Sequence, residues 1–395
     1  TMTVTMADGS QSFIKQPNGT YLPPVASLNS LTDLGGGLFR LTTAQGVQYN
    51  FNSSGDISTI VFPEGMTVTY TYSSGKLSTV TNGLGRTLTL NYTGNDLTSV
   101  SDGTGRSVSF TIDANRNLTT ATDPASKSTT YSYVSGKPGM MESIFKPANP
   151  SNAIVTNVYD ALNRVKQQTD AYSNLTEFFI AGHRTEEKNA AGNSRVISYS
   201  SIGNVTKTVD HVGKIWSNTF DGIGRLTRAE APEGNATEFS YNSKSQVIQV
   251  KVKAKPGSGL SDITNNFTYD STWNKVATAQ DGRGNTTTNT WNATTGTLTK
   301  IERPVIGGFT PTTSFTYNAR GQVITTTDPT GIVSQVNYHA TYERVESVVA
   351  DYGVGRLNLT VSFGYDSLGN VTSVTDARGN VSSAQYDNLR RVTQA

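Results

Sequence analysis

The chain has 395 residues, of which 35% are hydrophobic and 16% charged, with a net charge of +2, 37 glycines and no cysteine. That length suffices for a large core, yet the abundance of Thr, Ser, Asn and Gly favours strands and turns over helices, and no stretch sustains a 3.6-residue apolar period. The missing cysteines exclude disulfides and thiolate metal sites. The near-neutral charge, with Lys251, Lys253 and Lys255 as its densest basic patch, argues against a nucleic-acid partner, and no apolar run approaches the ~18 residues of a membrane span.

Residues 1–48 are the least regular and read as an N-terminal β-hairpin entry segment. Thr3–Gly9 and Ser10–Gly19 suggest two strands with Gly and Asn-Gly turns, and Pro23 and Pro24 end the pairing because proline lacks a donor. Gly35, Gly36 and Gly37 precede an alternating hairpin, Leu38–Phe51, that leads into a repeat. No signal peptide is visible in Thr1–Ser10. The abrupt ends read as those of a piece of a longer polypeptide.

From residue 49 to 395 the chain reads as about sixteen tandem units of 20–28 residues, each opened by an anchor. The anchors are Phe51, Tyr72, Tyr92, Ile112 as a substitution, Tyr133, Tyr159, Phe179, Tyr199, Phe220, Tyr241, Tyr269, Trp291, Tyr317, Tyr338, Tyr365 and Tyr386. An aliphatic residue follows five to seven positions later, as at Leu77, Leu97, Val247 and Val371, whereas Tyr133 and Phe179 have Pro138 and Thr185 there.

Each unit predicts two strands. In the first, alternation such as Val68, Tyr70, Tyr72 puts the apolar side chains on one face, where stacked units are expected to align their aromatics as a ladder of cross-strand pairs. The turn, as in Asp221–Arg225, supplies Gly where φ is positive. In the second strand the aliphatics stand three apart, as at Leu97 and Val100 or Val371 and Val374. A flat strand would point them to opposite faces, so either a bulge re-aims one or both faces are partly covered. Four units, 133–159, 241–269, 291–317 and 338–365, carry insertions that map to surface hairpin tips.

Tyr159-Asp160-Ala-Leu-Asn-Arg164, Phe220-Asp221-Gly-Ile-Gly-Arg225, Tyr365-Asp366-Ser-Leu-Gly-Asn370 and Tyr386-Asp387-Asn388-Leu389 resemble the repeats of the bacterial Rhs, or YD-repeat, family, and the resemblance extends over nearly the whole chain. It implies an all-β ribbon of tandem hairpins, open or spiralling into a hollow shell. In relatives such a shell encloses a C-terminal toxin, and related shells occur in Tc toxins and teneurins. It also implies export, sometimes by a type VI secretion machine, or display on the cell surface. The family's self-cleaving core motif and variable toxin domain are missing from this sequence.

Other motifs dissolve into the repeat. Gly-x-Gly-Arg at 83–86, 103–106, 222–225 and 353–356 lacks the helix a phosphate cradle needs, and its recurrence marks turns. His183, His211 and His339 fall in separate units without metal-ligand spacing. No acid/base pair or nucleophile stands out from the background, so neither catalysis nor a cofactor is expected. The functional reading is a non-catalytic shell segment whose partners are the remainder of its polypeptide, including a toxin or other cargo, further copies of itself, and secretion machinery. It places the protein outside the cell or on its surface. The alternatives are a subunit of a surface fibre joined through free sheet edges and an aromatic platform for sugars.

Overall fold

A computed structural model describes residues 1–6, 9–25, 27–340, 343–387 and 389–395. Ala7 and Asp8, in the first turn read from the sequence, and Asn388, in the last repeat opening, lie outside the described residues. The fold is all-β, with 55% of the chain in strands and no helix among the described residues, hence none long and apolar enough to cross a membrane. Strands are numbered β1 to β38 in chain order.

β1 (Met2–Met6), β2 (Gly9–Lys15) and β3 (Tyr21–Leu22) form a small antiparallel sheet of their own. One long antiparallel sheet of 33 strands then runs from β4 (Ser30–Gly35) to β36 (Val381–Ser383), each strand pairing with its neighbours in sequence. This sheet is open. Among the described residues β4 pairs along its length only with β5 (Leu38–Thr42), and β36 only with β35 (Val371–Thr375). A final hairpin, β37 (Gln385–Tyr386) and β38 (Val392–Gln394), stands apart.

Little of this sheet is covered. Among the described residues the buried apolar side chains are Val4, Phe13, Leu31, Leu41, Ala236 and Val349. Four of them, Val4, Phe13, Leu31 and Leu41, form one cluster where the small sheet packs on the start of the long one, joined by Met2, Met6, Tyr21, Phe39, Tyr49 and Phe51. The accessible surface is 22951 Å². A compact protein of 42.3 kDa exposes about 15,000 Å². An excess of about half is what a single layer wetted on both sides requires.

Strand order and pleat make the two faces chemically different. Val68, Tyr70 and Tyr72 of β8 (Thr67–Ser73) share a face with Val80 and Leu77 across the ladder, while Thr69 and Thr71 meet Thr81 and Thr79 on the other. The second face is a lattice of hydroxyls, as in Thr81–Thr87 at 2.8 Å and Thr268–Thr278 at 2.6 Å. Midway along the sheet it carries a charged network. Arg228 bridges Glu230 at 3.1 Å and Glu238, while Lys251 and Lys253 share Asp262 at 3.3 and 2.7 Å. Such part-exposed pairs each contribute at most about 1 kcal/mol.

Candidate functional site: the turn rows, the anchors and the lap seam

The hairpin tips form two rows, one at each margin of the ribbon. In the row that follows the anchors, Asp221 shows the plan. Its carboxylate accepts the N–H groups of Ile223 at 3.1 Å and Arg225 at 2.9 Å. The Asp221 N–H donates to the Arg225 carbonyl at 2.9 Å, and Gly224, at φ +86, donates its own N–H back to the Asp221 carbonyl at 3.0 Å. The Arg225 Nε then donates to the second carboxylate oxygen at 2.7 Å. Asp160 with Arg164 and Asp366 with Asn370 repeat the pattern. The opposite row uses the same device, as at Asp170 with Asn174 and Asp281 with Asn285. The aspartate of the repeat is thus a turn clamp.

Immediately before each anchor the ladder slips by one residue. This bulge occurs at Phe51, Tyr72, Tyr92, Ile112, Tyr133, Tyr159, Tyr199, Phe220, Tyr241, Tyr269, Trp291, Tyr317, Tyr338, Tyr365 and Tyr386. In β11 (Asp96–Ser101) the extra residue is Thr98, because Leu97 faces Tyr92 and Ser99 faces Asn91. One inserted residue returns Leu97 and Val100 to the same face, which answers the three-residue spacing with a bulge.

The bulge aims the anchor at the preceding unit. Tyr72 Oη donates to the Ile57 carbonyl at 2.9 Å, Tyr92 to Leu77 at 3.0 Å, Tyr133 to Leu118 at 2.8 Å and Tyr159 to Met141 at 2.6 Å. Tyr241 reaches Leu226 at 2.7 Å, Tyr269 reaches Val247 at 2.7 Å and Tyr317 reaches Leu298 at 2.6 Å. Tyr338 bonds Val323 at 2.9 Å, Tyr365 bonds Val345 at 2.5 Å, and the Trp291 Nε1–H serves Val276 at 3.0 Å. Each accepting residue is the one that faces the preceding anchor across its bulge. Phe51 and Phe220, without a hydroxyl, face Ile57 and Leu226, while Tyr199 faces Val205 and donates its N–H to the His183 carbonyl at 2.8 Å. Tyr386 faces Val392 in the last hairpin. Cations just past a turn cover some rings, with Arg225 4.6 Å from the Tyr241 centroid and Lys275 5.0 Å from that of Trp291.

Two expectations need correcting. The anchors share a face but do not form a ladder of aromatic pairs: among the described residues the ring contacts are Tyr21 with Phe39 and His339 with Tyr365. Successive anchors lie two strands apart, roughly 9.6 Å, beyond the 4.5–7 Å at which rings interact, so an aliphatic residue fills each interval. Phe179 is not an anchor. Its hairpin has no bulge, Phe179 faces Glu186, and the ring is 51% exposed on the hydroxyl face. Tyr133, by contrast, has its aliphatic partner in Met141, beyond a longer turn.

Loss of a single hydroxyl isolates the clamp. Tyr317→Phe leaves the Leu298 carbonyl without this donor and is expected to destabilise the unit by about 1 kcal/mol, seen as faster amide exchange confined to residues 298–317. Burial pushes the phenols of Tyr72, Tyr269, Tyr317 and Tyr338 above the ordinary tyrosine value. A raised folded value means that their contribution is complete below about pH 10 and is lost as the pH climbs through the folded values. Tyrosinate absorbance should therefore appear late and together with loss of sheet signal in an alkaline titration.

The ribbon also returns to itself. Trp273, in the turn Asp270–Lys275, lies against the turn between β5 and β6 (Gln48–Phe51), twenty-one strands earlier. A Cβ on Gly46 would stand 2.5 Å from Trp273 Cζ3, and one on Gly296 2.7 Å from Cδ2, so the indole is wedged between two bare glycines. Beside it Asn274 Nδ2 donates to the Ala44 carbonyl at 3.1 Å, across 230 residues. Farther along, Glu64 lies against Gly321. Ser367, Leu368 and Arg390 close a cleft of about 680 Å³ over the turns that hold Asn82 and Asp102. At this seam the anchor-side row of the second lap meets the opposite row of the first. Sequence reading missed Trp273. The available signal was a turn one residue longer than those at Asp221–Arg225 and Asn242–Gln246, holding one of only three tryptophans.

Among the described residues no three His, Asp or Glu side chains gather as metal ligands. The RHS repeat family matches residues 365–395. No curated protein is significantly similar to the chain. Among solved structures, the crystal structure of TcdB2-TccC3 aligns with 97% of this chain at 13% identity and a TM-score of 0.60, and its form without the hypervariable C-terminal region with 97% at 14% and 0.61. The chain spans 22% and 23% of those two structures. Residues 365–395 thus match the RHS repeat family, and the bulged, clamped hairpin found there recurs along the chain in a fold similar to that of TcdB2-TccC3.

Proposed function

We propose that the chain is a wall segment of an Rhs-type shell that holds a polypeptide cargo, such as a C-terminal toxin, for export or surface delivery. The observation that carries this reading is the lap seam. A ribbon whose margins meet through Trp273, Asn274 and Leu368 bounds a space, and a single layer with surface on both faces needs no packed interior. The fold is that of TcdB2-TccC3, one solved form of which lacks a hypervariable C-terminal region, in keeping with a variable cargo beyond a common wall. The partners on this reading are further repeats and cargo of the same polypeptide, and the secretion machinery that delivers them.

A second reading has one observation in its favour: among the described residues β36 ends the sheet with an exposed edge that pairs only with β35, and a second copy would extend its other side into a fibre. Negative-stain electron microscopy of the purified protein separates the two. Hollow particles or curved open fragments support the shell, long fibres with a regular axial repeat support the filament, and solid compact particles contradict both.

A further inference from the structure

Among the described residues the small N-terminal sheet leaves one strand edge unused beside an apolar trough. β1 pairs with β2 on one side, Met2 facing Phe13 and Val4 facing Gln11, and it is the end strand of its sheet. Its side chains alternate: Met2, Val4 and Met6 turn toward the long sheet, with Val4 buried, and Thr3 and Thr5 face solvent. Along the free side, clefts of about 300 and 640 Å³ run between β1 and the apolar face of the first repeats. Phe51, Ile57, Ile60, Tyr70 and Tyr72 line the larger one. It directly continues the interface in which Phe13 and Leu41 are fully buried between the same two sheets.

We propose that β1 accepts an extended peptide strand as a fourth member of the N-terminal sheet. The fitting ligand alternates apolar and hydroxyl residues. Its backbone pairs with the free edge of β1, and alternate apolar side chains fill the trough over Ile60 and Tyr70, as Val4 and Phe13 do next door. Continuity selects this occupant: only a strand in the register of β1 extends both the hydrogen-bonded ladder and the two-layer packing. A folded domain without such a strand offers neither.

The test uses the full chain and a fluorescein-labelled peptide, Lys-Thr-Val-Thr-Val-Thr-Val-Thr-Lys, with a control in which the central valine is proline. Saturable anisotropy is expected for the first peptide only, with amide protection on binding appearing at residues 3–6. Ile60→Lys or Tyr70→Lys should weaken binding about tenfold or more. Equal binding of the proline peptide, or protection at the β36 edge instead of β1, overturns the proposal. Because protection is read on the unmodified protein, misfolding of a variant cannot shelter it.

Discussion

Replacing Trp273 with alanine is expected to unlock the laps while leaving the repeats folded. The indole fills the gap between Gly46 and Gly296. Truncating a large, well-packed aromatic costs about 3 kcal/mol, two orders of magnitude in the ratio of closed to open seam. Its Nε1 is buried without a hydrogen-bond partner, so the residue acts through packing, and Trp273→Phe should retain much of the closure. Approaching from the other side, Gly46→Val puts a branched side chain at φ +85 and against the Trp273 ring, and it should open the same contact. Small-angle scattering should report a larger radius of gyration for Trp273→Ala and Gly46→Val, exchange should quicken at Gly46, and far-ultraviolet circular dichroism should be unchanged. An unaltered radius with unaltered exchange would mean that the laps are held elsewhere along the seam.

That contact also marks the boundary of what the sequence carries. The repeat is written in local terms: an anchor, a turn aspartate, a glycine at positive φ and a pair of aliphatics, each needed within its own hairpin. Period, strand pairing and turn chemistry were therefore readable residue by residue. The bulge was half readable, because Leu97 and Val100 at a spacing of three signal a conflict with the pleat without locating the inserted residue. The hydroxyl bond from Tyr92 to Leu77 was not readable, since it depends on how the bulge tilts the ring toward the neighbouring unit. Nor was the seam, where Asn274 meets Ala44 across 230 residues. Its position follows from small twists summed over twenty-one strands, and no local pattern records such a sum. Phe179 misled for a related reason: it keeps the repeat spacing, but without a bulge the same position points to the other face.

Acid should dismantle the turns selectively, and the chain contains its own control. Backbone donation from Arg225, with the Arg225 side chain adding to it, holds the Asp221 carboxyl below the ordinary carboxylate range, and the same donors from Arg164 and Arg391 do so at Asp160 and Asp387. The side chains of Asn174, Asn285 and Asn380, with their N–H groups, lower Asp170, Asp281 and Asp376. The Lys253 ammonium lowers Asp262 to about 2. For each of these groups the folded value lies below the unfolded one, near 3.9. The ionised form therefore stabilises the fold fully above that pH, and its contribution is lost as the pH falls through the folded values, in a window from about pH 4 down toward 2. Since many turns titrate together along a ribbon whose stability is a sum over units and their interfaces, the combined effect is large even though each carboxylate is at least partly exposed to solvent. The turns headed by Asn52, Asn82 and Asn318 use an amide oxygen for the same two N–H groups and have no charge to lose. Amide exchange at pH 3, corrected for intrinsic rates and compared with pH 6, should show protection failing first at residues 160–164, 170–174, 221–225 and 281–285 while the asparagine turns persist. Asp221→Asn should move its turn into the resistant class at the expense of the Arg225 ion pair. Simultaneous failure of both kinds of turn would assign acid unfolding to net charge rather than to the turn carboxylates.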